Sequence, residues 1–131
     1  MLTAVDTNVL FDIFLDDPQF VESSLGRLEQ CLLAGPVVAC EVVWAEVSAA
    51  FANEKRAKQA MAQLRVEFSP MSIAQATLAG QSWRAYRERG GTRTRITSDF
   101  LIGANAALAA DVLLTRDGGF ATLGISGLEL I

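Results

Sequence analysis

Leu2-Thr3-Ala4-Val5-Asp6-Thr7-Asn8-Val9-Leu10-Phe11 is the stretch on which the fold turns. Leu2–Val5 is a short apolar run with β-branched Thr3 and Val5, the pattern of a strand, and it stops at Asp6. From Val9 to Leu15 the residues fit a helix, and Asp16-Asp17-Pro18 supplies turn chemistry to end it. A short strand passing directly into a helix then proves to be the pattern of the whole chain.

Working outward, Val21, Leu25, Leu28 and Leu32 recur at helical spacing over Val21–Leu33, and Gly35-Pro36 breaks the chain. Val37–Ala39 reads as a second buried strand and Glu41–Asn53 as a long helix. Lys55–Leu64 is a further helix, and Val66–Phe68 a short strand before Pro70. Ser72 suits the N-cap of a long helix through Leu78, Trp83 and Tyr86, ended by Gly90-Gly91. Thr97 or Ser98 caps a helix from Phe100 to Ala110. Val112–Thr115 is strand-like, and Leu128–Ile131 is a candidate last strand. Short apolar strands alternating with helices predict an α/β domain with a mainly parallel sheet covered on both faces. No repeat or linker divides residues 1–131, so one domain is expected.

Composition narrows the chemistry. Hydrophobic residues make up 51% and charged residues 20%, a globular balance. The apolar runs are too short to span a membrane, and the opening lacks a basic n-region, so no secretory leader and a cytoplasmic location are expected. Cys31 and Cys40 lack metal or redox spacing and read as small buried hydrophobes. Histidine is absent, which excludes Ser-His-Asp and Cys-His catalysis and His-ligated zinc. A net charge of −4 argues against a simple nucleic-acid binder. Arg84, Arg87, Arg89, Arg93 and Arg95 nevertheless crowd one stretch, which is either a solvated helix end or a phosphate-facing strip.

Carboxylates remain. Asp6 follows the first strand, where α/β sheets gather ligands, although a turn or N-cap role fits it too. Glu46 lies in Val42-Val43-Trp44-Ala45-Glu46-Val47, on the helical side of Val43 and Ala50, where a carboxylate needs pairing, protonation or a metal. Asp99 stands where an acid favours a first helical turn, and Asp117 in a turn dipeptide with Gly118. Three of the four follow a strand or open a helix, near one edge of a parallel sheet. Several acids without histidine suit Mg²⁺ or Mn²⁺, hard cations that bind oxygen and polarise a phosphoryl group.

These residues carry a resemblance. Asp6-Thr7-Asn8-Val9-Leu10 resembles the opening motif of PIN-domain ribonucleases, especially VapC-type toxins of toxin–antitoxin pairs. Val43-Trp44-Ala45-Glu46-Val47, Ser98-Asp99-Phe100-Leu101-Ile102-Gly103-Ala104 and Leu114-Thr115-Arg116-Asp117 with Phe120 are similar to the motifs that follow, in family order. The resemblance implies a three-layer α/β/α sandwich, an acidic Mg²⁺ or Mn²⁺ pocket, RNA as substrate, a small cognate antitoxin and a homodimer. It implies that Asp6 and Asp99 hold metal most directly, with Glu46 and Asp117 in the same pocket. Thr115 matches a supporting hydroxyl and Asn8 a polar brace for the first acid. Gly103 departs from the family's usual alanine. Phosphate contact by Arg84, Arg87, Arg93 and Arg95 lies outside the shared motifs. A non-catalytic PIN-like module that binds RNA or protein is the alternative. An aspartyl-nucleophile phosphatase fits less well, because Asn8 stands where a second aspartate is wanted and Lys55 and Lys58 are the only lysines.

Overall fold

The computed structural model describes residues 1–92 and 96–131, so Arg93 and Arg95 lie outside the described residues. Four strands, β1 (Thr3–Val5), β2 (Val37–Ala39), β3 (Val66–Phe68) and β4 (Val112–Leu114), form one sheet in the order β3-β2-β1-β4. Every pairing is parallel: Thr3 lies opposite Val37 on one side and Val112 on the other, and Val37 lies opposite Val66. β1 and β2 are buried at every position, which is why their residues are apolar or small on both faces. At the edge strand β3 only Val66 is buried.

The connections are helical, as parallel neighbours require. They are α1 (Thr7–Phe14), α2 (Val21–Ala34), α3 (Glu41–Ser48), α4 (Glu54–Gln63), α5 (Ile73–Glu88) and α6 (Ser98–Ala109), followed by a 3₁₀ turn over Gly118–Thr122. α1 packs on α2, α5 on α6, and α3 touches both α1 and α6. The result is the predicted α/β sandwich. Its core is filled by fully buried side chains such as Leu10, Leu28, Val43, Met61, Phe100 and Leu113, each worth roughly 1.5–3 kcal/mol of apolar burial.

Three local differences from the sequence reading have physical causes. The helix from Glu41 ends at Ser48, where Ala50 N and Phe51 N turn to Val47 O and Ser48 O in a tightened last turn. Asn53, in extended backbone with its side chain accepting from Arg56 N, starts α4 afresh. Ala50 therefore lies beyond α3 and is exposed, so it does not share a helical face with Glu46. Leu128–Ile131 makes one parallel bridge, Leu113 to Leu130, in place of a full strand; Gly124 and Gly127 at positive φ keep its approach irregular. Ser72 caps α5 as expected, in a capping box with Gln75. Gly103 packs against the tip of the Ile125 side chain; a Cβ there would displace only that movable Cδ1, so the fold does not demand glycine at this position.

The sheet order places the site. From β1 the chain runs outward to β2 and β3, then returns to the opposite side of β1 as β4. The carboxyl ends of β1 and β4 thus flank the point where strand order reverses, the crevice in which open α/β sheets bind ligands.

Candidate active site at the strand switch

Asp6 leaves β1 and caps α1 with extended backbone. Its Oδ1 accepts from Thr7 N (2.7 Å) and its Oδ2 from Thr115 Oγ1 (2.8 Å), just beyond β4. Burial pushes its pKa up to about 6. The Thr115 and Thr7 hydrogen bonds pull the other way, while the charges of Asp99 and Glu46 add to the rise. Asp6 is therefore an N-cap and a cleft residue at once; the two readings of it do not compete.

The four predicted acids meet. A cleft of about 250 Å³ is lined by Asp6, Thr7, Asn8, Phe11, Glu46, Ser98, Asp99 and Asp117, with no lysine or arginine in its wall among the described residues. Glu46 reaches it half-buried from α3 and accepts from Thr7 Oγ1 at 2.9 Å. Asp99 comes from the first turn of α6. Asp117 caps the 3₁₀ turn, its Oδ1 accepting from Gly119 N (2.8 Å). Thr115 Oγ1 also accepts from Asp117 N (3.0 Å) and lies 3.5 Å from Asn8 Nδ2. Asn8 thus braces Asp6 only through Thr115, and its buried Oδ1 has no hydrogen-bond partner among the described residues.

Among the described residues no three acids already form a ligand shell for a metal ion. The donor set still fits a hard divalent cation. It is all oxygen, it sits at a ligand crevice, and Asp6 is held against neighbouring negative charge that a cation would neutralise. A larger hollow of about 500 Å³ lies along the start of α4, between Asn53 and Gln59. Its walls are exposed side chains, so volume there does not bring chemistry with it.

Behind the cleft lies a cluster that the motifs do not single out. Asp12 on α1 is 2% exposed and receives a forked ion pair from Arg116, Nε to Oδ2 (2.7 Å) and Nη2 to Oδ1 (2.9 Å). Ser24 Oγ of α2 donates to the same carboxylate (2.6 Å), and the guanidinium stacks 4.1 Å from the Phe20 ring centroid. Arg27 Nη1 donates to Thr115 O (3.3 Å). The available signal was the one applied to Glu46: Asp12 is an acid between apolar Phe11 and Ile13 inside a helix.

The arginine strip is placed differently. Arg84 pairs with Glu88 on the exposed face of α5 (3.1 Å), and Arg89 Nη2 donates to Thr122 O (3.2 Å). Neither lines the cleft, nor does Arg87.

Fold and cleft together define a parallel α/β domain with an all-oxygen acidic site at its strand switch. The chain belongs to the PIN domain family, whose model matches residues 3–125. Similar solved structures include VapBC2 from Rickettsia felis bound to a DNA fragment from the pair's promoter, with TM-score 0.75, 21% identity and coverage of 100% of this chain and 98% of that one. They include VapBC-5 from Mycobacterium tuberculosis, a member of the VapBC family of toxin–antitoxin systems, at TM-score 0.62 and 26% identity over 99% and 97%. VapC20 from the same organism, a toxin that cleaves the sarcin–ricin loop, has TM-score 0.58 and 14% identity over 97% and 98%. The resemblance to VapC-type toxins drawn from the motifs agrees with these structures. No curated protein matches the sequence.

Proposed function

We propose that this PIN domain is a metal-dependent endoribonuclease acting as the toxin of a type II toxin–antitoxin pair. The observation that carries the reading is the meeting of Asp6, Glu46, Asp99 and Asp117 in one cleft without a basic side chain among the described residues of its wall. Support comes from the VapBC structures it resembles and from the sarcin–ricin loop, an RNA, cut by one of them.

Asp6 and Asp99 would hold Mg²⁺ or Mn²⁺ most directly, with Glu46 and Asp117 completing the pocket. Such a cation, when bound, polarises a phosphoryl oxygen and lowers the pKa of water. The chain's own groups prepare the site. Thr115 and Thr7 fix both oxygens of Asp6, and Thr7 orients Glu46. Asp117 is set by the turn at Gly119. Arg84, Arg87, Arg93 and Arg95 are proposed as phosphate contacts for RNA approaching past the end of α5. A small antitoxin would cover the cleft, and the active toxin would be a cytoplasmic homodimer. No helix among the described residues is long and apolar enough to cross a membrane.

The test incubates the purified protein with a panel of RNAs in EDTA, Mg²⁺ or Mn²⁺, alongside Asp6→Asn and Asp99→Asn. Cleavage is expected only with metal and only in the wild type, the variants losing at least about a hundredfold, as on removing one electrostatic group from an active site. Cleavage that persists in EDTA or in both variants would refute the metal site. RNA or antitoxin binding without cleavage under any metal would favour the non-catalytic alternative.

A further inference from the structure

We propose that Asp12 and Arg116 are positioning residues that hold Asp117 in place for cation binding, an inference that rests on the metal-site reading above. Arg116 stands between Thr115 and Asp117, yet its side chain turns away from the cleft to grip Asp12. The turn after β4 is therefore tied to α1 at two points, Thr115 to Asp6 and Arg116 to Asp12. Asp6 and Asp12 are about 9 Å apart along the chain of α1 at 1.5 Å per residue. The backbone at Thr115 is already anchored to Ile131 O, and two side-chain ties so far apart add a hold on the turn's rotation relative to α1.

The chemistry of the pair suits this task. A forked guanidinium–carboxylate contact fixes orientation, which an ammonium point charge does not. The Phe20 ring holds the guanidinium plane from one side, and Ser24 fixes the Asp12 oxygen. Arg27 adds a third hold on the same segment through Thr115 O. Asp117 itself is exposed; its N–H donates to Thr115 Oγ1 and its Oδ1 accepts from Gly119 N. The local turn thus sets its shape, and the ties at Thr115 and Arg116 set how that turn sits against α1.

Asp12→Asn and Arg116→Lys in the full chain test the proposal, by titration calorimetry with Mn²⁺ alone and by amide hydrogen exchange without metal. Both variants should bind Mn²⁺ about tenfold or more weakly, the usual scale for losing a partner behind a metal ligand. Amides of Asp117 and Gly119 should exchange faster while those of β1 and α6 keep their protection. RNA cleavage lost at low Mn²⁺ should return as Mn²⁺ is raised. A folded variant with wild-type Mn²⁺ affinity overturns the proposal, as does a cleavage defect that no Mn²⁺ concentration recovers. If Asp12→Asn fails to fold, Arg116→Lys decides alone. Wild-type protein that binds Mn²⁺ with these shifts but cuts no RNA would sink the nuclease reading and leave this one standing. Normal Mn²⁺ binding by variants of an active nuclease would do the reverse.

Discussion

Asp6 and Asp12 stand at the start and near the end of one short helix, both buried, at 5% and 2% exposure, and their protons behave oppositely. The Asp6 carboxyl is pushed up to about 6, chiefly by burial. The hydrogen bond from Arg116 holds Asp12 below the usual aspartate range, against the desolvation it also suffers. Both are shielded from water, but desolvation dominates at Asp6, whereas at Asp12 the Arg116 hydrogen bond outweighs it. Asp12 faces a cation supplied by the chain itself, whereas Asp6 faces two more carboxylates. The first arrangement is a finished structural contact; the second is one that, on the proposed reading, a divalent ion would complete.

The sharpest way to break the comparison is to remove the cation from Asp12. Arg116→Ala removes the cation from Asp12 and should cost about 2–3 kcal/mol, below the range for a fully buried pair because the contact is part-buried and water can enter where Arg116 lay. Asp12→Ala should cost less, about 1–2 kcal/mol, because Arg116 is already 36% exposed and its guanidinium can turn to water. Urea denaturation of both variants measures the asymmetry. Equal losses would mean that the pair is not held by the burial of Asp12.

Metal-free protein offers the next test, through pH. A carboxyl raised in the folded state, like Asp6, adds stability that is fully present below the unfolded pKa of 3.8 and lost as pH rises through about 6. The loss should be about 2 kcal/mol between pH 4 and pH 7, most of what a shift of about two pH units is worth at 1.36 kcal/mol each. Asp12 runs the other way, its contribution fading only as pH falls below the ordinary aspartate range. Asp6→Asn should therefore stabilise the metal-free protein at pH 7 and flatten its thermal stability across this window. Mn²⁺ should raise the melting temperature of the wild type more at pH 7 than at pH 5.

The contrast between these two aspartates also marks how far the sequence could be read. β1, β2 and β4 were legible because strands covered on both faces leave short apolar runs, whereas the edge strand β3, with Glu67 exposed, showed only through Val66 and Phe68 before Pro70. The cleft was legible because parallel sheets put N-caps and turns where ligands bind, so Asp6, Asp99 and Asp117 have ordinary local roles at a special address. The pairing of Asp12 with Arg116 spans 104 residues and carries no periodicity, so neither residue announces the other. The end of α3 was hidden for a different reason: an alanine-rich stretch favours continuing the helix, and the break shows only as the shift to i→i−3 bonds at Ala50 and Phe51 before Asn53 caps α4.

Thr115 connects the two regions, and its removal should have a middling effect. Thr115→Val deletes the donor to Asp6 Oδ2 and the acceptor for Asp117 N. A loss of about 1–2 kcal/mol is expected, the cost of an unmade buried hydrogen bond. The Asp6 carboxyl should move further up, since the Thr115 bond is what most opposes its rise. Carbon-13 titration of the Asp6 side chain reads this directly, and an unmoved carboxyl would mean that Thr115 does not hold it.

The smallest effect belongs to Arg84 and Glu88, an ion pair of the same chemical type as Arg116 and Asp12 but with side chains 72% and 66% exposed. Water already solvates both charges, so the contact displaces little and holds two long side chains in one geometry. Arg84→Ala should change stability by less than about 0.5 kcal/mol, the scale of an exposed i,i+4 pair. Salt should erase that difference, whereas 1 M NaCl should weaken the Arg116→Ala loss only in part, because Asp12 is 2% exposed and its part-buried pair is screened less than an exposed one. If Arg84 also contacts RNA phosphates, its variant should raise KM at low salt without altering the maximal cleavage rate. A stability loss at Arg84 as large as that at Arg116 would mean that burial is not what separates the two pairs.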